Sequence, residues 1–375
     1  MIPLLETPMP QLGTVAIAAF APLPKEFGER DRQRLAVAVR VLGDGSQEYA
    51  RRQVFEITDG DTVHAALLPD GVLIRFEVPK ANLTNGLALM DGLLRRPTVQ
   101  QESLDAALRR AQRAEVGTWA AALRPYRNDL KGLRADEARA VLLRVFDPRR
   151  VVVAAIGGFA AGTASARWSS LTADWKPLPE PRYPDISIAP EPTTNPSGVG
   201  TVELRGRAFS ANDPTLPARW LALLGLGVGK GSSLFQDVRQ IQGWSYRQEA
   251  VLWPDRAGLV PRLVLASNDE SAGRTDDLRT TLLKSIGSWS EEDRTRALGA
   301  ASLHLGPLWL ADSPVGESPL ERASLDAYWY AKAGVAWDPD RLLNAMKNVS
   351  LSDMKAAATE MVSAARAITL AGHAC

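Results

Sequence analysis

Between residues 176 and 196 the chain carries seven prolines: Pro177, Pro179, Pro181, Pro184, Pro190, Pro192 and Pro196. Each ring fixes φ and removes a backbone donor, so neither a regular helix nor a central strand fits this stretch. It reads as an extended, stiff linker. It parts the 375 residues into halves of similar size. The expected organisation is an N-terminal domain over 1–165, a proline-rich linker over 166–198 and a C-terminal domain over 199–375.

The two halves run in a similar order. In the first, Val15–Ala21 reads as a strand and Arg32–Leu42 as an apolar helix. An alternating strand follows at Val72–Val78, with Val72, Ile74, Phe76 and Val78 on one face. Helices are expected over Leu83–Leu94, Gln101–Val116 and Asp136–Phe146, and a buried strand at Arg150–Ile156. The second half offers strands near Thr201–Leu204, Ser245–Leu252 and Leu259–Ser267. Its helices are expected at Leu216–Leu224, Ser232–Ile241, Thr275–Ser288, Glu291–Leu303 and Ser352–Ala364, before a last strand at Ala367–Ala371. Both halves then finish helix–helix–helix–strand. The fold class that follows is α+β, two duplicated domains, each a mixed β-sheet with helices packed on one face.

The formal net charge of +1, with both signs interspersed, gives no basic face for nucleic acid. A single cysteine, Cys375, excludes an intrachain disulfide and a thiolate metal cluster. The N-terminus lacks a basic n-region, and its apolar stretch runs into Pro22 and Pro24, unlike a signal peptide. No apolar run approaches the ~20 residues needed to cross a bilayer. A soluble, cytoplasmic protein is expected, although a lack of disulfides fits the periplasm too.

Several familiar chemistries find no support. Gly225, Gly227, Gly229 and Gly231 surround Lys230, but the spacing is not that of a phosphate loop, and the run follows a helix rather than a strand. His64, His304 and His373 are scattered, and no G-x-S-x-G elbow is present. Ten tryptophans are spread along the chain, densest at Tyr328-Trp329-Tyr330, and read chiefly as core, with an interface as the other use for an exposed subset.

One segment is more specific. Gly229-Lys230-Gly231-Ser232-Ser233-Leu234-Phe235-Gln236-Asp237-Val238-Arg239, followed by Gly243-Trp244-Ser245-Tyr246, resembles a signature of the insulinase/pitrilysin family of zinc peptidases. On a helix, Leu234, Phe235, Val238 and Ile241 would share one face, and Gly243 suits its left-handed end. The first half adds Gly43-Asp44, Arg52–Ile57, Gly60, Asp70, Pro97 after Leu93-Leu94-Arg95-Arg96, and Pro148 before the strand ending at Gly157. These matches keep register along nearly the whole chain.

Active members of that family carry H-x-x-E-H on a helix, two histidines for zinc and a glutamate as general base. The corresponding positions here are Arg34, Val37 and Ala38, none of which can ligate or act as base. Glu115 falls near the family's later glutamate ligand, but one carboxylate does not hold zinc. The resemblance therefore implies no metal or cofactor in this chain, zinc being expected only in a partner.

The resemblance also implies that Arg239 and Tyr246, seven residues apart, project into a cleft and grip substrate carbonyls. The cleft would be lined by the glycine-rich loop of Gly225, Gly227, Gly229 and Gly231. Taken by itself, the pair fits an ion-pairing arginine and a half-buried strand tyrosine as well. The expected role is the non-catalytic subunit of a heterodimeric peptidase, of the mitochondrial processing peptidase kind. Its partners would be a zinc-bearing homologous subunit and an unfolded peptide, with no nucleic acid and no membrane. The alternative is a catalytically inactive structural or peptide-binding scaffold of the same fold, as a homodimer.

Overall fold

The computed structural model describes residues 2–24, 27–113, 130, 132–176, 194–195, 200–245, 247–255, 258–267, 275–303 and 318–372. The chain divides into two compact units, and the division is not a simple halving. The first unit takes the described residues up to 176 together with 318–337; the second takes the remainder.

The first unit is built on strands β1 (Leu4–Pro8), β2 (Thr14–Pro22), β3 (His64–Leu68), β4 (Gly71–Pro79) and β5 (Val152–Gly157). They form one sheet in the order β1-β5-β2-β4-β3. β1 runs parallel to β5, and every other pairing is antiparallel. β2 is apolar without alternation, and Val15–Ala21 are all buried, so both of its faces are covered.

Val15, Ile17, Ala19 and Ala21 join Val72, Ile74, Phe76 and Val78 of β4 in one apolar cluster. This inner face packs on helix Leu83–Arg95, where Gly86 lets the helix approach: a Cβ there would lie 2.9 Å from Ile17 Cδ1. The alternation of β4 is thus the face expected from its sequence.

The other face of β2, with Ala16, Ala18 and Phe20, is covered by helix Pro319–Ala333, which no sequence periodicity announces. Its start is well specified. Ser318 accepts from the Glu321 amide at 3.1 Å, proline occupies the first turn, and Gly334 ends the helix at φ +69°. Its apolar and aromatic residues lie on more than one side, which hides the 3.6-residue period. Helix Pro339–Lys347 is likewise unannounced, so among the described residues five helices, rather than three, precede the last strand.

The second unit contains β6 (Thr194–Asn195), β7 (Gly200–Arg205), β8 (Arg247–Asp255), β9 (Gly258–Ser267) and β10 (Arg366–Gly372). Their order is β6-β10-β7-β9-β8, which repeats the first sheet strand for strand. β6 is parallel to β10, and the remaining pairs are antiparallel, again as in the first sheet. This shared topology makes the chain an α+β protein with an internally duplicated unit.

The expected linker boundary differs in detail. Helix Thr163–Thr172 extends past residue 165 and buries Trp168 in the first core, while Thr194–Asn195 is paired in the second sheet. Most of the proline-rich stretch, from 177 to 193, lies outside the described residues.

Candidate functional site

Helix Glu29–Ala38 carries the three positions where the family resemblance expects zinc chemistry. Arg34 donates from Nη2 to Glu137 Oε1 at 3.3 Å, across to helix Ala135–Val145. Val37 and Ala38 are fully buried in the apolar cluster. Zinc therefore does not fit these positions: a guanidinium paired with a carboxylate and two core alkyl groups offer no ligand. Among the described residues, no group of three histidine, cysteine, aspartate or glutamate side chains could hold a metal. Of the histidines, His64 lies half-exposed 3.6 Å from Asp61. His304, His373 and Glu115 fall outside the described residues.

The glycine run is more ordered than an open loop. Gly225 and Gly227 belong to helix Leu216–Gly227, which corrects their expected place in a flexible loop. A Cβ on Gly227 would lie 2.0 Å from Ala250 Cβ on β8, and one on Gly225 would lie 2.5 Å from Met354 Cε. These two glycines exist for close packing. Gly229 and Gly231 do form the turn, with Gly229 at φ +81°.

Side chains knit that turn together. Ser232 Oγ donates to the Gly229 carbonyl at 2.8 Å and Gln236 Nε2 to the Lys230 carbonyl at 2.6 Å. Beneath them, Ser233 Oγ accepts from Trp289 Nε1 at 3.0 Å and bonds Ser285 Oγ at 2.8 Å. Buried hydroxyls with such partners are satisfied and rigid.

The next segment, Leu234–Ile241, is wound as a π-helix rather than the expected α-helix. Its end shows the wider ring, the Gln242 amide reaching the Asp237 carbonyl at 3.1 Å. Underwinding means that residue i+7 no longer returns to the face of residue i. Leu234 and Val238 are accordingly buried, whereas Ile241, expected on the same face, is 70% exposed. Arg239 sits one wide turn from Phe235, its guanidinium carbon 5.0 Å from the ring centroid. Gly243 then takes φ +65°, the left-handed conformation expected of it. Tyr246 lies outside the described residues, so the structure describes only the arginine of the Arg–Tyr pair.

The first unit also holds a polar cluster that no sequence motif marks. Asp70, in the two-residue turn between β3 and β4, is buried. Its Oδ2 accepts from Tyr328 Oη at 3.1 Å and from Lys332 Nζ at 2.6 Å. Oδ1 has no hydrogen-bond partner among the described residues. Burial raises the Asp70 carboxyl above the usual carboxylate range, with the Lys332 charge opposing that shift. Burial and then the Asp70 charge push the Tyr328 phenol well above its ordinary value. Asp70 and the Tyr-Trp-Tyr run were each visible in the sequence, but no local pattern links residues 258 positions apart.

Nothing matches this sequence among protein-family models or curated proteins. Solved structures do match. A protease from Helicobacter pylori superposes with a TM-score of 0.76 at 12% identity, covering 98% of this chain and 96% of that one. A peptidase M16 inactive domain from Pseudomonas fluorescens gives 0.72 at 14% identity, covering 99% and 95%. A protein from Alicyclobacillus acidocaldarius described as an M16-like peptidase gives 0.66 at 14% identity, covering 98% and 95%. TM-scores of 0.66 to 0.76 over nearly whole chains establish a shared fold, and at identities this low the fold alone: the duplicated α+β architecture described above.

Proposed function

We propose that this chain is a catalytically inactive protein of the M16-like fold that serves as the non-catalytic subunit of a heterodimeric zinc peptidase. The observation that carries the reading is the replacement of a metal site by structure: Arg34 is engaged with Glu137, and Val37 and Ala38 are core. A protein built this way cannot activate water for peptide hydrolysis by itself. The likeness to a solved inactive domain of peptidase M16 points the same way.

In this reading the chain's contribution is to hold substrate. An unfolded peptide is taken up in extended form, with main-chain hydrogen bonds to a sheet edge. Arg239 and Tyr246 donate from guanidinium and phenol to the carbonyl under attack and to the oxyanion that develops on it. The stacking of Arg239 on Phe235 limits the rotamers open to its guanidinium, which lowers the entropy cost of that contact. Zinc chemistry belongs to the partner.

The test is peptide hydrolysis together with metal content, measured on the chain alone and on its complex with a co-expressed zinc-bearing homologue. Activity confined to the complex supports the reading, and Tyr246→Phe should then lower turnover. Stoichiometric zinc and cleavage by the chain alone would overturn it. Inactivity in both, with a symmetric dimer of this chain, would favour a scaffold role.

A further inference from the structure

The outer face of the first sheet is closed by a helix that comes from late in the sequence. Helix Pro319–Ala333 lies on β2, β5 and β4. The sheet residues that share this face are Ala16, Ala18 and Phe20 of β2, Leu73 of β4, and Val152, Ala154 and Ile156 of β5, all buried. The apolar cluster of the inner face includes neither Phe20 nor any residue of this helix.

The anchor is ionic. Lys332 and Tyr328 both reach Asp70 Oδ2, at 2.6 and 3.1 Å, and the other carboxylate oxygen has no hydrogen-bond partner among the described residues. Such a contact is poor adhesive in net terms, because desolvation offsets attraction, yet removing one partner strands a buried charge. Just beyond Lys332, Gly334 at φ +69° and the exposed Val335 form a joint. Trp337 then folds back on Trp329 edge to face at 4.9 Å, and its carbonyl accepts from Arg322 Nη2 at 2.5 Å. Residues 318–337 are thus held to one another as well as to the sheet.

We propose that this segment is a releasable strap: a local cooperative unit that lifts from the outer sheet face while the inner face stays folded. The Asp70–Lys332 contact sets how often it lifts. Release uncovers Phe20 and the apolar residues around it, giving the fold a conformational control that does not depend on the peptidase reading. Sub-global units of this sort are recognised by their own opening free energy.

Hydrogen exchange of the full chain across a urea series tests it. In the wild type, amides of Pro319–Ala333 should open with a shallower urea dependence than those of helix Leu83–Arg95 on the opposite face. Lys332→Met should speed exchange in the strap by roughly 100-fold, the equivalent of losing one partner of a buried ion pair. Helix Leu83–Arg95 should not respond. Adding Asp70→Asn to Lys332→Met should recover most of the protection, since no uncompensated charge remains. A single urea dependence shared by both helices in the wild type would overturn the proposal, and this arm decides should the variant fail to fold. Equal acceleration of both helices in Lys332→Met, or none in the strap, would overturn it as well.

Discussion

Arg262 donates to both carboxylate oxygens of Glu203, Nε to Oε1 and Nη2 to Oε2, each at 2.6 Å, between strands β9 and β7. Arg205 adds a third bond to Oε1 at 2.9 Å. Arg262 also lies over the Trp253 ring, 4.6 Å from its centroid. A buried carboxylate is thereby held by two guanidinium groups and the planar fork of one of them.

Burial alone would push the Glu203 carboxyl up, but the Arg262 hydrogen bonds and the charges of Arg262 and Arg205 outweigh it, and the net shift is downward. A carboxyl held low in the folded state contributes stability above its unfolded value, and that contribution is lost as pH falls through the folded value. Urea midpoints should therefore decline on acidification below about pH 4. Glu203→Gln should cost about 2 kcal/mol at neutral pH and show a weaker acid dependence. Parallel pH profiles for the two proteins would sink this account.

Gly227→Ala offers a test whose sign is informative. Helix propensity alone favours alanine at that position, whereas the 2.0 Å approach to Ala250 Cβ opposes any added carbon. A loss of about 1–3 kcal/mol is expected. Gly229→Ala has open space and only the left-handed backbone against it, so its cost should be nearer 1 kcal/mol. Thermal unfolding of the two variants should rank them in that order, and the reverse order would refute the close approach.

Rebuilding the zinc motif should fail for a structural reason. Val37 is fully buried, so Val37→Glu places a carboxylate in the apolar core and should destabilise by at least about 3 kcal/mol. Arg34→His with Ala38→His should leave the melting temperature insensitive to added zinc. A zinc-dependent rise in that temperature would show that the helix still faces a usable site.

Arg239→Ala separates a functional arginine from a structural one. Should the proposed complex exist, turnover should fall by about 100-fold, the usual consequence of removing one oxyanion donor. Stability of the isolated chain should change by less than about 1 kcal/mol. A large loss of stability with unchanged turnover would assign Arg239 to structure instead.

Particular residues show how much was open to reading in advance. Val72, Ile74, Phe76 and Val78 announced a half-sheet by their period, and each lies in the inner core. The apolar runs of β2 and β5 marked strands, and that of β5 a buried one; that both sides of β2 are covered is a finding of the structure. What would cover the second side was not visible, because the period of helix Pro319–Ala333 is masked by alanines and aromatics suited to several directions. The π-helix was equally hidden: Leu234, Phe235, Val238 and Ile241 satisfy an α-helical face, and only the five-residue bonding turns Ile241 outward.

The candidate site divides along the same line. Ligand chemistry is a property of residue types, so the inability of Arg34, Val37 and Ala38 to hold zinc was settled by their identities. Sequence by itself determined the local matters of period, capping, turn chemistry and the absence of metal donors at Arg34, Val37 and Ala38. Tertiary structure alone decided that Arg34 would meet Glu137, that Gly227 would need to be bare against Ala250, and that Asp70 would receive Tyr328 and Lys332. Those contacts join residues far apart in the chain, and their energies come from burial and charge pairing that exist only once the sheets and helices have closed.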